Sequence, residues 1–229
     1  MENSIIPVLD SGYVQLIETW GSDARIIEAA RMSTGKGFQG WDTDAKLLAY
    51  LYNNKHATPF EMAGMVIEVK APIFVFREWH RHRTQSYNEM SARYIPLPDE
   101  NYRPTVNRVQ LNGGTNKQAQ GIAVAAEVTE AAAQDWLARL DALYTCAQAV
   151  YEDGLKLGVP KELARLPVPV ARYSRMRASA NLRNWLAFLT LRMAPNAQWE
   201  IRQFAAAVGQ IVRERFPRTW DLFEAAGHQ

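Results

Sequence analysis

Cysteine is nearly missing from this chain of 229 residues: Cys146 stands alone. No disulfide can close within the chain, and no cysteine-based metal site can be assembled from it. His56 and His82 have no third ligand at a recognisable spacing, so no metal centre is expected either. No apolar run approaches the roughly 20 residues that a membrane-spanning helix needs. No GxGxxG or P-loop pattern is present, which excludes the usual glycine-rich backbone cradle for phosphate. The net charge of +2 is too small to argue by itself for a nucleic-acid partner. The opening segment Met1 to Pro7 lacks the basic region, apolar core and small-residue cleavage site of a secretory signal, so a cytoplasmic location is expected.

What the chain does contain is enough apolar material for one sizeable core: hydrophobic residues make up 48% and charged residues 22%. One domain spanning 1–229 is expected. Arginine heavily outnumbers lysine among the 26 basic residues, which favours directed anion recognition over a diffuse basic coat. The densest cluster runs from Arg81 to Tyr94 and contains Arg81, His82, Arg83, Ser86, Glu89, Ser91 and Arg93. Guanidinium forks match phosphate oxygens, while Ser, Asn and Glu supply partners for a sugar and a base. Such a stretch suits a phosphorylated, ring-bearing small molecule. Arg165, Arg183 and Arg192 each sit beside apolar residues, where a bare charge is costly unless it meets an anion. The competing reading for any one of them is a snorkelling or ion-paired arginine.

Periodicity predicts an α/β (α+β) chain. Tyr13 to Trp20 reads as a strand, and Ser22 with Asp23 caps a helix through Arg31. Ser33 to Gly37 reads as a loop, and a second helix carries Leu47, Leu48 and Leu51 to about Asn53. Met65 to Lys70 alternates as a strand, and Pro72 opens a helix through Phe74, Trp79 and His82. After Pro98 a polar excursion or hairpin, a candidate lid, centres on Gly113. A long amphipathic helix is predicted from about Ile122 to Tyr151, with Trp136, Leu140, Leu143, Ala147 and Val150 as its stripe, widened by Leu137, Tyr144 and Tyr151. A strand over Val170 to Ala178 and helices over Asn181 to Arg192 and Gln198 to Arg215 complete the pattern.

Arg81-His82-Arg83, seven residues and then Ser91 resembles the signature of flavin-dependent thymidylate synthases. The resemblance continues through Ala30 to Ser33, His56 to Glu61, Arg77 to Trp79, Asn181 to Arg183 and Ala197 to Ile201, in the family's order. It implies reductive methylation of dUMP to dTMP, with methylenetetrahydrofolate as carbon donor, NADPH as reductant and FAD as hydride carrier. It also implies a central mixed or antiparallel sheet flanked by helices, assembled as a homotetramer with sites shared between subunits. By matching position, Thr58, Arg81, His82, Arg83, Glu89, Asn181 and Arg183 fall on the flavin side, with His56 and Ala187 in the same group. Ala187 stands where the family commonly has asparagine, Asn196 where histidine is frequent before Ala-Gln-Trp-Glu, and Met62 where histidine often follows Pro-Phe-Glu. Glu78, Ser91, Ala92, Arg93, Arg165 and Arg192 fall on the dUMP side, and Arg81 and Glu89 touch both ligands.

The resemblance casts Arg192 as the catalytic group, its guanidinium facing the pyrimidine where negative charge builds as hydride arrives. Arg165 and Arg93 are cast as phosphate clamps. A serine nucleophile at Ser86 or Ser91 with His82 as base is rejected, because no Gly-x-Ser-x-Gly elbow surrounds either serine. Cys146 has no charged neighbour that would activate it and reads as a packed thiol. Two other readings compete: a nucleotide- or nucleic-acid-binding module built on Arg81, Arg83, Arg93, Tyr87 and Tyr94, and a homologue that binds its ligands without turnover.

Overall fold

A computed structural model describes residues 5–112, 123–124 and 128–227. In chain order the elements are β1 (Ile5–Val8), β2 (Gly12–Trp20), α1 (Asp23–Arg31), α2 (Trp41–Asn53), β3 (Gly64–Pro72), α3 (Ile73–Trp79), β4 (Ser86–Glu89), α4 (Val106–Gln110), β5 (Leu111–Asn112), β6 (Ala123–Val124), α5 (Glu130–Lys156), α6 (Lys161–Ala164), β7 (Tyr173–Asn181), α7 (Leu182–Arg192), α8 (Trp199–Arg215) and α9 (Pro217–Ala225). Short 3-10 turns cover Met32–Thr34 and Thr58–Met62.

The main sheet is five-stranded, in the order β1-β2-β3-β7-β4, and every pairing in it is antiparallel. Period-two alternation gives it one apolar face. Val14 and Leu16 of β2, Met65, Ile67 and Val69 of β3, and Met176, Ala178 and Ala180 of β7 are all buried. That face packs against α7 and α8, which contribute Trp185, Phe188, Leu189, Phe204, Val208 and Ile211 to the same core. Burying a side chain of this size stabilises by about 1.5 to 3 kcal/mol. The indole of Trp185 is buried without leaving its donor unpaired, because Nε1 donates to the Met65 carbonyl at 3.1 Å. The opposite face is polar: Tyr13 donates to Glu68 at 2.8 Å, and Arg177 approaches the same carboxylate at 3.4 Å.

Register places the two helices that matter most. β3 and β7 pair over their full nine residues, from Gly64 opposite Asn181 to Pro72 opposite Tyr173. Helix α3 leaves β3 at one end of this ladder, and α7 leaves β7 at the other. The strands span about 30 Å, while α3 with 7 residues and α7 with 11 span together about 27 Å. Two helices starting from opposite ends therefore meet near their C-termini. The Trp79 and Phe188 rings stack there at 4.5 Å.

Several sequence expectations need correction. Ile122, where the long helix is expected to begin, lies outside the described residues; the helix starts at Glu130, capped by Thr129 Oγ1, which accepts from Ala132 N. Ala123 and Val124 pair with Asn112 and Leu111 instead. The centre of the predicted excursion at Gly113 lies outside the described residues, and α4 on its near side was not foreseen. The α3 helix ends at Trp79, so His82 follows it rather than belonging to it. The strand expected at Val170 to Ala178 lies three residues later, because Val170 to Arg172 form a turn closed by Arg172 N to the Pro169 carbonyl. Ser33 and Thr34, expected to open a loop, lie instead in the 3-10 turn that starts at Met32. Cys146 is exposed on α5 rather than packed.

Candidate active site

Arg192 ends α7 and is held at the C-terminus of α3. Its NH1 donates to Glu78 Oε2 and its NH2 to the Glu78 carbonyl, both at 2.9 Å, while Nε donates to His82 Nε2 at 2.8 Å. The Glu78 carbonyl is one of the last four of α3, which have no partner inside the helix. A guanidinium also answers the partial negative charge that gathers at a helix C-terminus. The Arg192 side chain is only 15% exposed, whereas Glu78 is 41% exposed, so the cation is sunk and its carboxylate sits at the rim. Burial, with the Arg192 charge beside it, pulls the His82 pKa down to about 4, so the ring is neutral near pH 7.

The segment that follows α3 is tied down residue by residue. Tyr87 Oη donates to the His82 carbonyl at 2.8 Å and to the Trp79 carbonyl at 3.2 Å. Gln85 is buried and accepts from Trp79 Nε1 at 3.0 Å, and Asn184 of α7 donates to the Thr84 carbonyl at 3.1 Å. These ties hold a tight loop from which Arg81 and Arg83 extend into solvent. The strand β4 then pairs with β7, placing Glu89 opposite Met176. Beyond it Ser91 caps a turn: its Oγ accepts from Arg93 N at 3.3 Å, and its carbonyl accepts from Tyr94 N and Ile95 N. Ala92 is buried inside this turn and Arg93 is exposed.

Arg165 lies just past α6. Lys161 at the start of α6 donates to the Tyr94 carbonyl at 2.7 Å, which brings α6 against the Ser91 turn. Arg165 itself is exposed, with Nε donating to the Glu162 carbonyl at 3.4 Å.

A separate cavity of about 660 Å³ opens between α2 and α7, lined by His56, Phe60, Arg183, Leu186, Ala187 and Leu191 among others. Thr58 sits in the turn that closes this side. Arg183 pairs with Glu61 at 2.5 Å on the cavity's edge. Asn181 caps α7, its Oδ1 accepting from Asn184 N at 3.0 Å.

The fold thus assembles the sequence-predicted residues into three groups. Glu78, His82 and Arg192 form a hydrogen-bonded cluster; His56, Arg183 and Ala187 line the cavity; Ser91, Ala92 and Arg93 occupy a turn against α6 and its Arg165. Arg81, Arg83 and Glu89 project outward from the segment joining them. Sequence reasoning did not single out Gln85, Asn184, Phe188 or Lys161. The only signal for them was position: each lies within a few residues of an arginine already named.

The result is a five-stranded antiparallel sheet backed by helices, with a sunken guanidinium held by three acceptors near the exposed Arg81 and Arg83. Known proteins place this arrangement in a family. The family described as thymidylate synthase complementing protein matches residues 15–218. A flavin-dependent thymidylate synthase of Thermus thermophilus is 44% identical over 219 residues, covering 96% of this chain and 78% of the relative. One from Thermosipho africanus is 38% identical over 216 residues, covering 94% and 92%. The crystal structure of the UMP/dUMP methylase PolB from Streptomyces cacaoi, bound with 5-Br dUMP, superposes with a TM-score of 0.84 at 30% identity, covering 96% and 97%. The chain belongs to the flavin-dependent thymidylate synthase family.

Proposed function

We propose that this protein converts dUMP to dTMP by reductive methylation, taking the carbon from methylenetetrahydrofolate and the reducing equivalents from NADPH, with FAD as cofactor and no cysteine nucleophile. The observation that carries this reading is the Arg192 cluster. A guanidinium already held by three acceptors needs no reorganisation when negative charge develops on a ring placed against it. Each terminal nitrogen of Arg192 spends one hydrogen on Glu78, which leaves one on each for the pyrimidine. The partly buried position of the cation strengthens that interaction.

The residues on the cofactor side fit a flavin dinucleotide by their chemistry. The cavity bounded by His56, Arg183 and Ala187 has Leu51, Phe60, Leu186 and Leu191 in its walls with a cation at its edge, and the exposed Arg81 and Arg83 offer guanidinium forks suited to a pyrophosphate. Thr58, Glu89 and Asn181 complete this side. When bound, the flavin would supply the hydride that is delivered to the pyrimidine ring held against Arg192. Ser91, Ala92, Arg93 and Arg165 hold the nucleotide phosphate, where each charge-assisted hydrogen bond contributes roughly 1.5 to 3 kcal/mol. Cys146 lies on α5, outside the Arg192 cluster, in keeping with chemistry that needs no thiol.

The working unit is a homotetramer with sites shared between subunits, each subunit a single domain over 1–229, acting in the cytoplasm. Among the described residues no helix is long and apolar enough to cross a membrane. The test of the reading is an anaerobic visible spectrum of the protein with FAD. Bleaching by NADPH, then reoxidation and dTMP formation only when dUMP and methylenetetrahydrofolate are both added, is the expected result. A flavin that binds and never turns over sinks it, and no flavin binding at all moves the weight to a nucleotide- or nucleic-acid grip built on the same arginines.

A further inference from the structure

Family resemblance sets His82 on the flavin side, but its hydrogen bond in this fold goes elsewhere. Arg192 has a single hydrogen on Nε, and it is spent on His82 Nε2 at 2.8 Å. The other two acceptors both belong to Glu78, one from its backbone and one from its side chain. The Glu78 contacts anchor the two terminal nitrogens, and His82 holds the third donor position, at Nε, so that all three nitrogens of the guanidinium are fixed.

We infer that His82 is a positioning residue for Arg192, acting as a neutral imidazole that accepts at Nε2 and therefore carries its proton on Nδ1. This inference rests on the reading of Arg192 given above. It adds a requirement on protonation state to that reading.

The His82 ring is itself immobilised. Phe188 of α7 meets it edge-on at 4.9 Å, and its backbone carbonyl accepts from Gln85 N at 3.2 Å as well as from Tyr87 Oη at 2.8 Å. The charged and titratable groups near it include Arg192 from α7, Glu78 from α3 across the guanidinium, Tyr87 from β4 with His80 packed edge-on against it, and the exposed chain neighbours Arg81 and Arg83. A proton on Nε2 would turn the acceptor into a donor and set two cations against each other, so the imidazolium and this arrangement exclude one another. Burial and the Arg192 charge both push toward the neutral form.

The test uses His82→Ala and His82→Gln in the full-length protein. Glutamine returns an acceptor oxygen at about the reach of Nε2. With FAD saturating, His82→Ala is expected to lower kcat on the order of 10²-fold, while FAD affinity from the visible titration stays within about twofold. His82→Gln is expected to recover most of the loss in kcat. A loss that tracks weakened FAD binding, or that glutamine does not relieve, overturns the inference. A second readout needs neither cofactor nor turnover: nitrogen NMR of the histidine rings in the apoprotein, with His82 assigned by its disappearance in His82→Gln. An unprotonated Nε2 at pH 7 that persists to pH 5.5 supports the inference, and replacing Arg192 with leucine should then move the His82 titration upward. A protonated Nε2 at pH 7 overturns it. If the wild-type protein forms no dTMP, the proposed function has failed and the NMR result alone decides the role of His82.

Discussion

Arg192 and Glu78 are joined twice, once through the carboxylate and once through the backbone carbonyl, both at 2.9 Å. The double tie makes the two positions unequal under substitution. Arg192→Ala removes the whole group and is expected to abolish dTMP formation while FAD remains bound. Arg192→Lys should be nearly as damaging, because an ammonium cannot reach three acceptors in one plane. Glu78→Gln keeps the backbone acceptor and a side-chain oxygen, so its loss should stay within about tenfold, roughly 1.4 kcal/mol. Steady-state kinetics with bound flavin quantified for each variant checks this order. Turnover retained in Arg192→Ala would sink the role assigned to it.

The depressed pKa of His82 has a signed consequence for stability. Its folded value is about 4 against an ordinary 6.5, so between these values the unfolded chain binds a proton that the folded chain does not. Stability should therefore rise with pH through this window and fall as the pH drops from about 6.5 toward 4. His82→Gln removes the titration and should flatten the slope. Urea unfolding midpoints at pH 4.5, 5.5 and 7 for both proteins measure it. An unchanged slope in the variant would mean that His82 titrates normally in the folded state.

Asp23 links the two ends of the fold. Its carboxylate accepts from the backbone N of Arg218 at 2.9 Å and of Thr219 at 3.2 Å, and from Thr219 Oγ1 at 2.6 Å. These are the first turn of α9, whose own N-cap residue, Phe216, offers no side-chain acceptor. Asp23→Ala leaves buried donors unpaired and should cost about 1 to 3 kcal/mol. The measurement is a denaturant midpoint, and turnover of the remaining folded protein should be unchanged because no site residue touches this cap.

Where local chemistry dictated structure, the sequence was legible. The alternation of Met65 to Lys70, the Ser22 cap and the Asn181 to Arg192 pattern all produced the expected elements, since each is set by neighbours within a turn or two. The three-residue error at Val170 came from β-branched and apolar residues that the Pro169 turn keeps out of the sheet. Strand β4 was missed because Ser86 to Glu89 carries no apolar alternation; it exists because β7 offers it an edge. For the site, residue identities were legible in the arginine-rich run and its family resemblance, but partners were not. Nothing in the sequence says that His82 accepts from Arg192, a contact across 110 positions that depends on the lengths of α3 and α7 and the register of β3 with β7.

Cys146 is the one cysteine, and it is exposed on α5. Cys146→Ala should leave kcat and KM for dUMP unchanged, since hydride chemistry needs no thiolate. A folded but inactive variant would point to covalent catalysis instead.

The predicted apolar stripe of α5 is split by the structure. Leu137 and Tyr151 are buried along with Ala133, whereas Trp136, Leu143, Val150 and Leu157 are 46%, 59%, 54% and 81% exposed. These four recur every seven positions, the spacing that keeps one seam of a helix facing a partner helix. One chain therefore uses one side of α5 and leaves the other apolar, and the proposed tetramer is the occupant that would cover it. Because Leu143 makes no core contact, Leu143→Glu should leave the secondary structure intact by circular dichroism while a charge placed at each copy's seam opposes association. Sedimentation at micromolar concentration should show a smaller species than the wild type. If sites are shared between subunits, turnover should fall together with the loss of the tetramer and recover where high protein concentration restores it. A wild-type monomer in solution, or a dissociated variant with full activity, would remove the shared-site arrangement and leave the α5 seam without a second copy to bury it.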